Sequence, residues 1–357
     1  MGRPRKLETN INDLKKEKTT DDKLPSDQDK ETEDKSLKRL EDLNGVGPVT
    51  ARKLKGLGYT LLGVATGRAD EIAAEMKISF SQAKAWVMAA QEAALCKMVM
   101  KNGVEIDKER KSKIQLIKTG SDKFNNLLGG GIHTGETTGL CGAFSVGKSQ
   151  ICFNAIVDCI GRLKRKAVYI ETEPNTFHAD RLKEIAACKK LDINLEDVYV
   201  CESKQIPTAK AQYLQYKVIQ KELEKGADIG LVCIDSFTAK FRPGYSRREM
   251  LPVRTREFTE HFLIIDYLAS KYNIAFLLTC QVIGAPDPGQ TLGIKMKTGD
   301  GFYPVGGMYL LHSMTTWVSL QQIKSELYKA MLFDSSYLPR NTCEFMLTRG
   351  GLSDGIK

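Results

Sequence analysis

Several features that mark membrane, secreted and zinc-binding proteins are missing from this sequence. It has no apolar run near the roughly 18 residues that a membrane-spanning helix needs. The basic residues at 1–6 are not followed by an apolar stretch, as they would be in a secretory signal. The 4 histidines are scattered without ligand spacing, which argues against a structural zinc site. These absences predict a cytoplasmic protein with no membrane partner.

The 9 cysteines include no Cys-x-x-Cys pair, and their number is odd. Cys141, Cys233 and Cys280 lie in short apolar runs, where cysteine behaves as a small hydrophobic residue. We therefore expect reduced, buried thiols rather than the alternative, a disulfide framework.

What the sequence does contain is an ordinary globular composition with a basic balance. Its 357 residues allow two or three domains, and 42% hydrophobic with 27% charged residues is typical of a folded protein. The net charge of +9 suits a polyanionic partner such as nucleic acid. The alternative, an ordinary enzyme with a basic surface, fits the charge equally well.

The N-terminal segment 1–36 is a highly charged tail. Its 36 residues include 19 Lys, Arg, Asp or Glu and almost no large apolar residues, so it cannot bury enough surface to offset its ordering entropy. Residues 2–6 loosely resemble the arginine hooks that enter the DNA minor groove. A plain basic terminus is the alternative.

Segment 37–96 has helical spacing of its apolar residues and is predicted to form a small all-α domain. The turn Gly45-Val46-Gly47 precedes a basic helix, so that its backbone amides and the nearby Arg52, Lys53 and Lys55 could bind one DNA phosphate. This pattern predicts a helix-hairpin-helix DNA-binding domain. A corner used only for packing or protein contacts remains the alternative. Segment 97–113 is predicted to be a linker.

Segment 114–357 alternates short apolar runs with helical stretches. Such alternation predicts an α/β core with a mostly parallel sheet flanked by helices. The last part of the chain lacks long helices and is predicted to add strands at the sheet edge, at 315–321, 330–334 and 343–348.

The strongest motif fits G-x-x-x-x-G-K-[ST] at every fixed position and lies between a predicted strand and a predicted helix. The motif is Gly142-Ala143-Phe144-Ser145-Val146-Gly147-Lys148-Ser149. Its backbone amides would surround a phosphate, Lys148 would reach the β- and γ-phosphates, and Ser149 would bind Mg²⁺. The sequence therefore predicts ATP and Mg²⁺ as cofactors.

Two further acidic positions fit this interpretation. Asp235 ends the apolar run 231–234 and would hold Mg²⁺; a turn-capping aspartate is the alternative. Glu173 follows the run 167–170 and is the candidate for orienting the attacking water. Glu171 competes for that role, because alternate residues of a strand share one face.

Two loops after the predicted strands favour single-stranded DNA as a partner. The first, 241–256, holds five arginines and two aromatic residues, and its basic candidates are Arg242, Arg247, Arg248, Arg254 and Arg256. The second, 283–305, holds five glycines, three prolines, Lys295 and Lys297. Solvated loops without a ligand are the alternative for each.

With these residues in view, the chain resembles the archaeal RadA recombinases of the RecA-like strand-exchange ATPase family, from about Leu40 to Lys357. The ordered matches extend beyond the phosphate loop. They comprise 45–54, 128–132, Gln150, 171–173, 235–236, 281–282, 306–307, 312–313, 334–335 and 338–339.

The resemblance implies a RecA-like P-loop ATPase core that forms a ring or helical filament, with ATP between adjacent subunits, on single-stranded DNA. Glu173 matches the water-activating carboxylate, and Arg181 matches the arginine that stacks on adenine. Gln281 and His312 match residues that sense the γ-phosphate. Arg242, Arg248 and Arg254 match arginines of the first DNA loop, and 283–305 matches the second.

Five departures from the family pattern stand out. Ser145 replaces a glycine of the phosphate loop, and the segment 171–177 is one residue longer than usual. Arg247 and Glu249 replace glycines beside the first-loop arginine. Met100 occupies the position of the phenylalanine that docks into the neighbouring subunit, and Ser336 that of a proline.

The sequence thus predicts a DNA-dependent ATPase that performs homologous pairing and strand exchange in DNA repair, with duplex DNA and recombination accessory proteins as further partners. One alternative is a recombinase paralogue that binds ATP and DNA but performs no exchange. A small-molecule phosphotransferase is a second alternative, and the basic loops argue against it.

Overall fold

The computed structural model of the chain describes residues 39–95, 100–245, 248–284 and 302–355. The tail 1–36, Arg247, Lys295 and Lys297 lie outside these residues, as do the side chains of Arg242 and Arg248. The chain divides into two compact units, 1–102 and 103–357. None of the described helices has the length and apolar character required to cross a bilayer.

The described part of the first unit, 39–95 and 100–102, contains helices and no strands. A 3₁₀ turn at Leu40–Asp42 precedes the helices α1 (Pro48–Gly56), α2 (Leu61–Thr66), α3 (Ala69–Met76) and α4 (Phe80–Leu95). Their apolar faces close on a core that includes Leu54, Val64, Ile72 and Trp86. The all-helical content predicted for 37–96 agrees with this, whereas the assignment of its function stays a prediction.

The second unit begins with a helix that has no apolar face, in a segment predicted to be a linker. This helix, α5 (Gly103–Lys113), buries none of its side chains and carries a surface ion pair between Lys111 and Asp107 at 2.7 Å. After it come the short strand β1 (Leu116–Ile117), helix α6 (Asp122–Leu127) and strand β2 (Ile132–His133).

The remaining elements alternate strands and helices and then end in strands. They are β3 (Thr137–Gly142), α7 (Lys148–Gly161), β4 (Lys166–Glu171), α8 (Ala179–Lys189), β5 (Val198–Cys201), α9 (Ala209–Glu224), β6 (Ile229–Asp235), α10 (Phe241–Gly244), α11 (Leu251–Tyr272), β7 (Ala275–Cys280), β8 (Val282–Gly284), β9 (Phe302–Pro304), α12 (Gly307–His312), β10 (Thr316–Gln322), β11 (Leu327–Ser335), β12 (Asn341–Thr348) and β13 (Gly351–Ser353).

Nine of these strands form one sheet in the order β13-β12-β11-β10-β3-β7-β6-β4-β5. The six strands from β10 to β5 are parallel, and β11, β12 and β13 add antiparallel pairs at one edge. The predicted mostly parallel sheet and its added edge strands are confirmed. The stretch 315–321 is the exception, because β10 pairs in parallel with β3 inside the sheet.

Both faces of the sheet are covered by helices, as its continuous apolar strands require. Residues of α7 and α8 pack with one set of strand side chains, and residues of α9 and α11 pack with the other set. Strand β6 shows the alternation, since Leu231 and Cys233 face the first core and Val232 and Ile234 face the second. This burial leaves the carboxyl ends of the parallel strands as the place for polar chemistry.

Candidate functional site

A cavity of about 790 Å³ lies at the carboxyl ends of the neighbouring parallel strands β3, β7, β6 and β4. Each of these strands is followed by residues that line it. The polar members of the lining are Ser145, Lys148, Ser149, Gln150, Glu173, Thr176, His178, Asp235, Ser236 and Gln281. The structure therefore brings together the phosphate-loop residues, both acidic candidates and Gln281.

The phosphate loop joins β3 to α7 and depends on its two fixed glycines. Gly147, the residue before α7, has φ +90°, and a Cβ there would lie 2.5 Å from Leu347 Cδ1. A Cβ on Gly142 would lie 2.5 Å from the carbonyl oxygen of Leu320 on β10. Only glycine fits these two backbone positions, and the loop they form leads its amides into the N-terminus of a 14-residue helix.

Ser145, which departs from the family's glycine, also has a left-handed backbone, with φ +63°. A side chain in this conformation costs roughly 1 kcal/mol or more relative to the ordinary region. The backbone of the loop thus keeps the shape that glycine would adopt, and the serine is tolerated at some cost in stability.

Ser145→Gly is therefore expected to raise the free energy of unfolding, by up to about 1 kcal/mol, because it relieves backbone strain. Ser270→Gly makes the same chemical change inside helix α11 and should destabilise by about 0.5 kcal/mol. Thermal unfolding of the two variants measures the contrast. Two shifts of the same sign would contradict the assignment of strain to Ser145.

Lys148 is held against its own loop. Its Nζ donates to the carbonyl oxygens of Gly142 and Ala143, at 2.9 Å and 2.7 Å. Burial lowers the pKa of this amine, and the negative charge of Asp235 opposes that shift. The side chain is therefore a half-buried cation at the floor of the cavity, where an anionic ligand would compete with the two carbonyl groups.

Asp235, the last residue of β6, is buried and receives a hydrogen bond on each carboxylate oxygen. Tyr169 Oη donates to Oδ2 at 2.7 Å, and Thr279 Oγ1 donates to Oδ1 at 2.5 Å. Burial, with the charge of Asp235 next, raises the pKa of Tyr169 far above its ordinary value, so this hydroxyl keeps its proton. Beside Asp235, Ser236 Oγ is buried with no hydrogen-bond partner among the described residues.

The structure distinguishes the two competing glutamates. Glu171 is buried, and its carboxylate accepts the backbone amides of Thr176 and Phe177 at 2.8 Å and 3.1 Å and that of Ser203 at 3.2 Å. Burial would raise the pKa of Glu171, but these amide hydrogen bonds lower it overall. Glu171 therefore stabilises the loop, and Glu173 lines the cavity.

The segment 171–177, which the resemblance makes one residue longer than usual, contains a turn. Asn175 has φ +61°, a conformation that asparagine adopts more readily than most residues. Glu171 then holds the two amides that follow the turn. The lengthened segment thus leaves the Glu173 carboxylate in the cavity.

Glu173 and Gln281 meet across the strand that carries Asp235. Gln281, which follows β7, donates from Nε2 to Oε1 of Glu173, which follows β4, at 2.5 Å. Strands β7 and β4 flank β6 in the sheet. Gln281 also accepts the amide of Val305 on its backbone oxygen at 2.9 Å. This residue therefore joins the acidic side of the cavity to the base of the segment 283–305.

Arg181 lies on α8, outside the cavity lining, and contacts it through Gln150. Its Nε donates to Gln150 Oε1 at 2.9 Å. Its other nitrogens bind Glu184 and the carbonyl oxygens of Thr348 and Arg349 at 2.5–3.0 Å. The guanidinium plane is thus fixed beside the phosphate-loop helix, where the predicted stacking on a base stays a prediction.

His312 lies apart from the phosphate loop. It is exposed and lines a separate cavity of about 320 Å³ together with Asp266, Thr315 and Ser336. Within a single chain, the predicted γ-phosphate contact of His312 is therefore not formed. The prediction requires a neighbouring subunit, as the resemblance implies.

Among the predicted DNA-binding residues of the first unit, Gly45 and Gly47 form the turn before α1. Gly45 has φ +81°, and Gly47 is the N-cap residue. Two of the nearby lysines have intramolecular partners: Lys53 Nζ donates to Met76 O at 3.0 Å, and Lys55 pairs with Glu41 at 2.8 Å. Arg52 is exposed, and its contact with a DNA phosphate stays a prediction.

The segment 241–256, predicted to be a loop, begins six residues after β6 ends. The prediction is wrong for 251–256, which form the start of helix α11, and α10 occupies 241–244. Phe241 is buried and stacks on Phe258 of α11 with 4.3 Å between ring centroids, which anchors the start of the loop. Arg254 on α11 is half-buried, its Nε has no hydrogen-bond partner among the described residues, and burial lowers its pKa.

In the segment before α5, Met100 is 99% exposed.

Sequence reasoning missed Thr176 and His178, which line the cavity, and Tyr169 and Thr279, which hydrogen-bond Asp235. Tyr169 and Thr279 lie inside apolar strands that the sequence shows only as hydrophobic runs. The only sign of Tyr169 and Thr279 in the sequence is a hydroxyl group near the carboxyl end of an apolar run. Each of these runs forms a strand that neighbours the one ending in Asp235. The described residues contain no group of three His, Cys, Asp or Glu side chains that could hold a metal unaided.

Comparison with known proteins identifies similarities over most of the chain. The family model described as Rad51 matches residues 109–355. The chain is also 32% identical over 337 residues to the DNA repair and recombination protein RadA of Metallosphaera sedula, covering 91% of this chain and 98% of that protein.

Proposed function

This chain belongs to the Rad51 family, and from that premise we propose that it is a DNA-dependent ATPase that acts as a recombinase in DNA recombination and repair. It pairs single-stranded DNA with homologous duplex and exchanges the strands. The observation that carries the proposal is the hydrogen bond between Glu173 and Gln281, which face Lys148 and Asp235 in one cavity.

The residues of the cavity fit Mg²⁺-ATP. The phosphate loop and Lys148 would bind the phosphates, and Ser149 and Asp235 would hold the metal, since Mg²⁺ uses one or two protein oxygens together with substrate phosphates. The unpartnered Ser236 hydroxyl offers a further polar contact. When bound, Mg²⁺ would neutralise charge on the phosphate oxygens. Glu173 would orient the attacking water and accept its proton.

Gln281 supports a coupling between this chemistry and DNA. Strands β8 and β9 pair directly after it, and the amide of Val305 returns to its carbonyl oxygen. Both ends of the second predicted DNA loop are therefore attached at the residue that contacts Glu173. We infer that DNA bound by this loop and by Arg242, Arg247, Arg248 and Arg254 of the first loop sets the position of Gln281, and through it Glu173.

The proposal includes assembly on DNA. ATP between adjacent subunits would bring the exposed His312 and Ser336 of one subunit to the phosphate loop of the next. The exposed Met100 would dock into the neighbouring subunit, because methionine adapts to apolar pockets. The turn at Gly45 and Gly47, with Arg52, would bind duplex phosphates. Accessory proteins and a cytoplasmic location complete the proposal.

A paralogue that performs no strand exchange is not favoured by the similarity, which covers nearly the full length of RadA. The features that favoured it were Met100, the altered first loop and the lengthened segment 171–177, and Glu173 of that segment lines the cavity.

The function is tested by ATP hydrolysis of the full chain with and without single-stranded DNA, with joint-molecule formation between that DNA and a homologous duplex. We expect DNA to stimulate hydrolysis, binding to weaken steeply with salt, and ATP-dependent filaments in electron micrographs. Salt-sensitive DNA binding without stimulated turnover or filaments would overturn the proposal and favour the paralogue.

A further inference from the structure

Asp235 is held between two strands by two hydroxyl groups. Tyr169 comes from β4 and Thr279 from β7, the neighbours of β6 on either side. Each donates to a different carboxylate oxygen, over chain separations of 66 and 44 residues. Both hydroxyls therefore fix the carboxylate plane and leave its remaining lone pairs for a cation in the cavity.

Among the described residues, the hydroxyl of Tyr169 has a second side-chain partner, which that of Thr279 lacks. Its hydroxyl lies 3.3 Å from Thr176 Oγ1, and Thr176 Oγ1 also lies 3.1 Å from the carbonyl oxygen of Glu173. Thr176 itself lines the cavity. One tyrosine hydroxyl thus touches both the metal-binding aspartate and the loop that presents Glu173.

We propose that Tyr169 is a positioning residue that sets Asp235 and the Glu173 loop in a fixed relation, while Thr279 positions Asp235 alone. This inference rests on the proposed function and assigns two residues that act through others. Groups that hydrogen-bond a metal ligand commonly change metal affinity or activity by 10–100-fold when removed.

The two roles predict different defects. Tyr169→Phe should raise the Mg²⁺ concentration for half-maximal nucleotide binding about 10-fold and also lower kcat about 10-fold at saturating Mg²⁺. Thr279→Val should raise the Mg²⁺ requirement by a similar factor with kcat retained. Thr279→Ser keeps the hydroxyl and should restore the wild-type requirement.

The matched control is Tyr216→Phe. Tyr216 is also fully buried, and its hydroxyl accepts a hydrogen bond from Gln212 on α9, away from the cavity. This variant loses a buried hydroxyl without touching Asp235. It should therefore keep the wild-type Mg²⁺ requirement and kcat, whatever its stability.

The experiment uses the full chain and a fluorescent methylanthraniloyl derivative of ATP, titrated with MgCl₂ after metal-free binding has been recorded in EDTA. Hydrolysis with single-stranded DNA at saturating MgCl₂ gives kcat. An unchanged Mg²⁺ requirement in Tyr169→Phe and Thr279→Val would overturn the inference. If Tyr169→Phe does not fold, the comparison of Thr279→Val with Thr279→Ser tests the shared part of it. The wild-type protein separately tests the function, since absent DNA-stimulated hydrolysis there would overturn the function itself.

Discussion

Lys148→Ala is expected to lower DNA-stimulated ATP hydrolysis by a factor of about 10² to 10³, the usual loss when one charge-stabilising donor is removed. The physical reason is the position of Nζ, held by the carbonyl oxygens of Gly142 and Ala143 on the floor of the cavity. A bound phosphate would replace the two neutral carbonyl acceptors of Lys148 with a charged acceptor. Steady-state phosphate release with single-stranded DNA measures the effect.

Lys225→Ala is the control for this variant. Lys225 lies at the exposed end of α9 and pairs with Glu222 at 2.7 Å. The substitution Lys225→Ala removes the same positive charge at a distance from the cavity, so hydrolysis should stay at the wild-type rate. Equal losses in the two variants would show that net charge, and not the phosphate loop, governs turnover.

Glu173→Gln is expected to lower the same rate about 10²-fold while leaving ATP and DNA binding intact. Glutamine can still accept the hydrogen bond of Gln281 through its Oε1 atom, so the local geometry is preserved. It cannot take a proton from water. Filaments formed with ATP should therefore persist instead of turning over, which electron microscopy and phosphate release record together.

Glu171→Gln separates the two glutamates. Because Glu171 accepts three backbone amides, loss of its charge should lower the free energy of unfolding by about 1.5–3 kcal/mol. Glu173→Gln should leave the unfolding midpoint nearly unchanged. If Glu171→Gln abolished turnover with full stability and Glu173→Gln did not, the catalytic assignment would be wrong.

Local pattern was sufficient to predict much of this site. The phosphate loop and Asp235 are each marked by a few consecutive residues at the end of an apolar run. Glu171 and Glu173 could not be separated in this way, because the difference depends on how the loop after β4 folds and on the amide of Ser203, which lies 32 residues away along the chain. Tyr169 and Thr279 were missed for the same reason, since their partner Asp235 is distant in sequence.

Helix α5 and strand β10 show two other limits. Helix α5 buries no side chain, so apolar periodicity gives no signal for it, and its ion pairs and charged termini favour the helix instead. For β10, the run 315–321 indicated a strand but not its neighbour. Only the folded sheet shows that β10 lies between β3 and the antiparallel edge strands β11, β12 and β13.

The position of β3 also governs when the protein can fold during its synthesis. This strand carries the phosphate loop, yet its two neighbours are β7 and β10, which begin 138 and 179 residues after β3 begins (275 − 137 and 316 − 137). The nucleotide site therefore cannot close until the ribosome has released the chain to about residue 322. The helical unit has its core partners within 40–90 and can fold long before then. In the interval, β3 lacks both of its neighbours and β6 lacks β7, so the edges of these apolar strands are unpaired and favour aggregation of the nascent chain.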